Sequence, residues 1–180
     1  MPGSPQDAAG LLISSIRDNN PVLYLENKYL YRRLRSDGPI NLDPIPLGQA
    51  KVVREGRDVT LITYSAGVSQ GIEIADELDK EGISVEVIDV RTLVPLDVET
   101  IVNSVKKTSR AVVLHEAAKR MGYGAEIAAT IQEEAFWYLD QPVARVGAKD
   151  TPTPTSPPLE DAVIPQPAEI ADAIRAVARA

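Results

Sequence analysis

Short apolar runs alternate with longer amphipathic segments over the last two thirds of the chain. Residues 58–64, 83–90 and 110–116 read DVTLITY, ISVEVIDV and RAVVLHE, which are typical of buried strands. Residues 66–81 and 95–108 lie between them and repeat apolar side chains at helical spacing. Strands that alternate with helices indicate βαβ units, so we predict a three-layer α/β/α fold around a mostly parallel sheet.

Further elements complete one α/β domain over 49–180. We predict an edge strand at 49–56, a helix at 124–139, a short strand at 142–147, an extended Pro- and Thr-rich segment at 151–165 and a final helix from Pro167. Asp97 is the expected N-cap of the helix that ends at Thr108, and Gly82 is expected to close the helix before it.

Residues 1–36 are left over from this domain. They predict a helix over 5–17 and a short buried strand over 21–26, and 37–48 reads as a linker. One helix and one strand are too little to fold alone. We therefore expect 1–36 to be the tail of a preceding domain that this chain does not contain.

Composition excludes several classes of function. The net charge of −7 argues against a nucleic-acid or anionic-membrane partner. The absence of cysteine excludes disulfides and thiolate chemistry. No apolar run approaches the ~18 residues of a membrane span, and the first residues lack the pattern of a signal peptide. We expect a cytoplasmic location.

The residues alone carry no strong catalytic motif. GYGAE at 122–126 opens a helix whose N–H groups could bind an anion, although glycine is common at helix starts. His115 ends a strand, where ligands bind in open α/β sheets, but a hydrogen-bonded structural histidine is the better interpretation. Asp89 and Arg91 are explained by a local ion pair.

Six stretches, taken in order, carry a resemblance to a known family. They are PGSPQDAAGLLISSIRDNNPVLYLEN, LYR, IPLGQAKVVREGRDVTLITYSAGV, VEVIDVRTLVPLDVETIVNSVKKTSRAVVLHEA, GYGAEIAATIQEEAFWYLDQPVARV and DTPTPTSPPLED. Together they resemble the beta subunit of thiamine-diphosphate-dependent 2-oxo acid dehydrogenases, the decarboxylase components of the pyruvate, branched-chain and acetoin complexes. The resemblance implies a transketolase-like C-terminal domain at 49–180 and the end of a pyrimidine-binding domain at 1–36.

The resemblance also implies an activity for the intact enzyme. Members of the family decarboxylate a 2-oxo acid on thiamine diphosphate, with magnesium, and reductively acylate a lipoyl group. The glutamate that activates the cofactor and the catalytic histidine lie before this chain begins to match. No catalytic or cofactor-binding residue is therefore assigned here, and the fragment is expected to be inactive alone.

The family implies three protein partners. They are an alpha subunit in an alpha-2 beta-2 tetramer, a second beta subunit, and the peripheral-subunit-binding domain of the dihydrolipoyl acyltransferase. Asp150 matches an aspartate that docks this basic domain, and the alternative is that Asp150 caps the turn before Thr151 and Pro152. The helix at 124–139, small at its start and aromatic at Phe136, Trp137 and Tyr138, is a candidate surface for the second beta subunit, and core packing is the alternative explanation of the same residues.

The turn after the first helix is a candidate cation site. The helix ends at Arg17 with unpaired carbonyls, and Asp18 and Asn20 add hard oxygen donors. An Asx turn that caps the helix is the alternative. The resemblance implies a structural potassium ion held by the carbonyls of Ser15 and Ile16 with Asp18 and Asn20.

Two other interpretations stay open. The chain could belong to another thiamine enzyme of the same architecture, such as transketolase or deoxyxylulose-phosphate synthase, or it could be a stand-alone α/β interaction module. Which 2-oxo acid the intact enzyme uses is also open.

Overall fold

A computed structural model describes residues 1–179 and shows a five-stranded sheet within them. The strand order is β1-β3-β2-β4-β5; β1 runs antiparallel to β3, and the other neighbours are parallel. The strands are β1 (Lys51–Arg54), β2 (Val59–Thr63), β3 (Val85–Asp89), β4 (Ala111–Ala118) and β5 (Ala144–Ala148). The predicted mostly parallel sheet with an added edge strand is confirmed.

Helices cover both faces of the sheet. The helices are α1 (Pro5–Arg17), α2 (Leu30–Arg33), α3 (Ala66–Asp79), α4 (Val98–Thr108), α5 (Gly124–Ala135), α6 (Pro157–Asp161) and α7 (Pro167–Ala178). α3 and α7 pack on one face, and α4 and α5 pack on the other, which confirms the three-layer α/β/α prediction. None of the helices among the described residues is long and apolar enough to cross a membrane.

The two central strands are buried along their whole length. Alternate side chains of β2 point to opposite layers, so Leu61 packs with α3 and α7 while Ile62 packs with α4 and α5. Val87 and Ile88 of β3 divide in the same way. Because helices cover both faces of the sheet, neither face of β2 or β3 is exposed to solvent. Each fully buried aliphatic side chain of these strands contributes roughly 1.5–3 kcal/mol to the stability of the fold.

Asp97 caps α4 as predicted. Its carboxylate accepts the backbone N–H of Thr100 at 3.0 Å and also the N–H of Ala50 at 2.9 Å. One side chain therefore caps the helix and fixes the residue that leads into β1. Gly82 follows α3 with a φ of +81°, a conformation that glycine adopts without strain.

The N-terminal helix lies against the α/β domain. Ser4 caps α1 by accepting the N–H of Asp7 at 3.1 Å. Leu11 is fully buried, and Gly10 lies so close to Ile45 that a Cβ at position 10 would be 2.5 Å from its side chain. Because Ile45 N–H also donates to the carbonyl of Gly10 at 3.1 Å, α1 is fixed to the segment that precedes β1.

The predicted buried strand at 21–26 is wrong for this chain. These residues form no strand, and Leu23 is 84% exposed. A strand needs a neighbour for its backbone hydrogen bonds, and none of the five strands pairs with this segment. Its position is instead held by Tyr24, whose hydroxyl donates to the carbonyl of Ala8 at 2.7 Å.

Two predicted boundaries also differ. α5 ends at Ala135 and continues as a single 3-10 turn over Phe136–Tyr138, short of the predicted end at 139. The Pro-rich segment at 151–165 is not wholly extended, because Pro157 opens the short helix α6.

Candidate functional site

The carboxyl edge of the sheet gathers most of the candidate residues. His115 lies in β4 and is 1% exposed, with its ring parallel to that of Tyr64 at a centroid distance of 6.4 Å. Neither ring nitrogen has a hydrogen-bond partner among the described residues. Burial lowers the pKa of His115; the backbone of Ala117 partly offsets this effect without reaching hydrogen-bond geometry. The histidine is buried, as a structural role requires, but the predicted hydrogen bond is wrong.

Glycines from two other segments enclose this ring. A Cβ at Gly122 would lie 2.6 Å from Cε1 of His115, a Cβ at Gly147 would lie 3.0 Å from it, and a Cβ at Gly124 would overlap the ring. The glycines of GYGAE are therefore explained by packing against the imidazole. The ring is enclosed too tightly to meet a substrate in this conformation.

Arg91 connects α1 to the end of β3. Its guanidinium forms a buried ion pair with Asp7, although the two residues are 84 positions apart. Asp89 accepts the backbone N–H of Arg91 at 2.9 Å through Oδ1, whereas its Oδ2 has no partner within residues 1–179. The predicted ion pair between Asp89 and Arg91 is therefore wrong, since the charged group of Arg91 faces Asp7.

Asp89 is a fully buried carboxyl group. Burial raises its pKa to about 7, the neighbouring Asp7 adds to the shift, and the N–H and charge of Arg91 oppose it. Sequence reasoning missed Asp7 because nothing local to Asp7 indicates a partner so far along the chain.

Three of the four predicted cation ligands line one cavity at the end of α1, and Ile16 is not among its lining residues. The N–H of Asn20 donates to Asp18 Oδ1 at 2.8 Å, and the side-chain amide of Asn20 donates to the same oxygen at 3.1 Å. The Asx turn is thus present. Since α1 ends at Arg17, the carbonyls of Ser15 and Ile16 belong to its last turn and have no N–H partner within the helix. Ser15, Asp18 and Asn20 line one cavity of about 480 Å³.

Asp150 lies two residues past β5 and pairs with Arg120. Its side chain is 52% exposed, and that of Arg120 is 75% exposed. The N–H of Thr151 donates to the carbonyl of Lys149 at 2.9 Å, and the Asp150 carboxylate accepts no backbone N–H in the described chain. Asp150 is therefore free of the capping role that was its alternative interpretation. Arg120 was missed, because its proximity follows from the β4–β5 pairing.

The aromatic end of α5 is exposed. Trp137 is 90% exposed and meets Phe136 edge to face at a centroid distance of 4.9 Å. Lys106 Nζ lies 4.8 Å from the ring centre of Tyr138. The small start of the helix is less available, since Gly124 is buried against His115.

Comparison with known sequences agrees with this architecture. Residues 48–170 match the family described as Transketolase, C-terminal domain. The chain is 51% identical over 151 residues to the pyruvate dehydrogenase E1 component subunit beta of Staphylococcus epidermidis, which covers 84% of this chain and 46% of the relative. The Bacillus subtilis subunit beta is 51% identical over 156 residues, covering 87% and 48%. The chain thus spans about half the length of these curated relatives.

A solved structure shows the same arrangement. A chain described as a split gene transketolase, in an inactive beta4 tetramer, superposes with a TM-score of 0.67 and 26% identity, covering 76% of this chain and 44% of that one. The resemblance to dehydrogenase beta subunits found in the sequence is confirmed. By its fold and its match over 48–170, the chain belongs to the transketolase C-terminal domain family.

Proposed function

We propose that this chain is the C-terminal part of the beta subunit of a 2-oxo acid dehydrogenase. The observation that carries the proposal is the 51% identity to pyruvate dehydrogenase beta subunits over 84% of the chain. The intact enzyme decarboxylates a 2-oxo acid on thiamine diphosphate and reductively acylates the lipoyl group of an acyltransferase. Pyruvate is the favoured substrate because both relatives are named for it. The expected location is the cytoplasm.

The domain serves assembly and docking, not bond breaking. Thiamine diphosphate and magnesium belong in this proposal to the pyrimidine-binding domain and the alpha subunit. Residues 1–36 are the end of that pyrimidine-binding domain, 37–48 the linker and 49–180 the C-terminal domain. The enclosure of His115, the single histidine of the sequence, supports a non-catalytic role.

A direct assay tests the non-catalytic role. This chain is mixed with a cognate alpha subunit, thiamine diphosphate and magnesium, and decarboxylation of pyruvate is measured. We expect no turnover above that of the alpha subunit alone, while the full-length beta subunit gives turnover in parallel. Turnover with the 180-residue chain would mean that catalytic groups lie within it.

The oxygen donors at the end of α1 fit a singly charged hard cation. Asp18 supplies one formal negative charge, and its Oδ2 makes no hydrogen bond within the described residues. The carbonyls of Ser15 and Ile16 and the side-chain oxygen of Asn20 complete the set. In this proposal a potassium ion fixes the helix end against the segment that follows it.

Asp150 is the proposed docking residue for the peripheral-subunit-binding domain of the acyltransferase. An exposed carboxylate that meets arginine or lysine forms a charge-assisted hydrogen bond, which strengthens where water is excluded. The net charge of −7 favours the approach of a basic domain, with an association rate that falls as salt rises.

The exposed aromatic residues at the end of α5 are the proposed contact with a second beta subunit. Phe136, Trp137 and Tyr138 present large apolar surface to solvent, which is typical of an interface. A symmetric dimer is the commonest closed arrangement for such a contact. Sedimentation that gives a monomer at every accessible concentration would contradict this assignment.

The alternative function is that of a transketolase-type enzyme. The likeness to the split gene transketolase favours it, but at 26% identity. The 51% identity to pyruvate dehydrogenase beta subunits favours the dehydrogenase. Turnover of a ketose phosphate, with none of pyruvate, by the full-length enzyme would reverse this preference.

A further inference from the structure

The loop that joins β4 to α5 is held against the end of β5. The N–H of Lys119 donates to the carbonyl of Ala148 at 2.9 Å, and the guanidinium of Arg145 donates to the carbonyl of Lys119 at 3.1 Å. Met121 has a φ of +59°, which is uncommon for a residue other than glycine. These constraints fix the backbone on both sides of Arg120 and place it beside Asp150.

The ion pair between Arg120 and Asp150 is exposed. With side chains 75% and 52% exposed, the two charges are well solvated, and such pairs contribute little to the stability of a fold. Arg120 is also the sole hydrogen-bonding or charged partner of the Asp150 side chain in the described residues. The pair therefore affects mainly how available this carboxylate is to another molecule.

We propose that Arg120 is an internal competitor for the docking carboxylate, an inference that rests on the docking role of Asp150 in the proposed function. A cationic group of the incoming domain must displace the Arg120 guanidinium or share the carboxylate with it. Sharing places two positive charges side by side, which opposes binding. Arg120 thus lowers affinity and selects for a partner whose own cation binds strongly enough to compete.

The chemistry favours arginine over lysine on the partner. A guanidinium can bind both carboxylate oxygens through two parallel hydrogen bonds, whereas an ammonium acts as a point charge. An arginine of the partner can therefore replace Arg120 with the same kind of bond. Since exposed pairs contribute at most about 1 kcal/mol, removal of Arg120 is expected to raise affinity by roughly 1.5- to five-fold.

A double-mutant cycle tests the inference on the full-length enzyme assembled with its alpha subunit. Arg120→Gln, Asp150→Ala and the double variant are titrated with the peripheral-subunit-binding domain by calorimetry at low salt. We expect Asp150→Ala to weaken binding and Arg120→Gln to strengthen it. The gain from Arg120→Gln is expected to vanish when Asp150 is already alanine, because the two effects share one contact.

Lys119→Gln is the matched control, since it removes a positive charge from the neighbouring position, where the side chain makes no contact with Asp150. It is expected to change affinity by less than Arg120→Gln does. Equal effects of the two substitutions would reduce the result to net charge and overturn the inference. Melting temperatures of all variants verify that each one is folded.

The remaining outcomes separate the two proposals. If Asp150→Ala weakens binding but Arg120→Gln leaves it unchanged or weaker, docking stands and the competitor role is rejected. If Asp150→Ala leaves binding unchanged, docking at Asp150 and the competitor role are both rejected.

Discussion

At the scale of single residues, Arg91 divides its hydrogen-bonding groups between two aspartates. Its guanidinium neutralises Asp7 on α1, and its backbone N–H satisfies one oxygen of Asp89. The other oxygen of Asp89 is left buried without a partner among the described residues, which makes the charged form of this side chain costly. The contact between α1 and the α/β domain therefore contains a carboxyl group for which the protonated form is favoured.

This carboxyl group predicts a pH dependence of stability. The folded pKa of Asp89 is about 7, above the ordinary value of 3.8, so its contribution is complete below about pH 4 and is lost as the pH rises through 7. Asp89→Asn resembles the protonated form and removes that loss. The free energy of unfolding is measured in urea between about pH 4.5 and 8. As the pH rises over this range, the value for the variant is expected to increase relative to that of the natural sequence by roughly 2–4 kcal/mol.

Glu81→Gln provides a control with the opposite sign. A hydrogen bond from Arg175 lowers the pKa of Glu81, so its contribution is present at neutral pH and is lost as the pH falls. The free energy of unfolding of the natural sequence should exceed that of this variant throughout the range from about pH 4.5 to 8, and the difference should shrink only when the measurement is extended below about pH 4.5. A flat difference between Asp89→Asn and the natural sequence across the range would show that Asp89 is ionised in the folded protein.

At the scale of elements, hydrophobic periodicity predicted the strands and helices whose pattern is contained in a short stretch of sequence. The strands at 59–63, 85–89 and 111–118 were predicted because their apolar runs and flanking helices are encoded within a few residues. The segment at 21–26 has the same apolar character but forms no strand, because strand formation also needs a neighbour. Pairing is a property of the fold, and no pattern within so short a segment reports it.

The proposed cation site at the end of α1 predicts that the melting temperature depends on which cation is present. If Asp18, Asn20 and the last carbonyls of α1 hold potassium, the ion stabilises the folded state in proportion to its binding. Thermal unfolding of the full-length protein should give a higher melting temperature in potassium than in sodium at equal ionic strength. Asp18→Ala should remove the difference, whereas equal melting temperatures in the natural protein would reject the site.

At the scale of the whole molecule, the candidate sites depend on strand order. Arg120 follows β4 and Asp150 follows β5, and they meet because these strands are parallel neighbours. The family resemblance identified Asp150 as a candidate, but its ion-pair partner Arg120 is seen only in the three-dimensional structure. The contact of Arg91 with Asp7 also joins segments far apart in the chain, but it depends on where α1 packs and not on the pairing of strands.

The most direct test of the account is a chimaeric beta subunit. The part of the Bacillus subtilis beta subunit that precedes its matched 156 residues is joined to this chain, and the product is assembled with the Bacillus subtilis alpha subunit. If this chain is the C-terminal region of such a protein, the chimaera should form a tetramer and decarboxylate pyruvate. A folded, correctly assembled tetramer with no pyruvate decarboxylation would contradict the account.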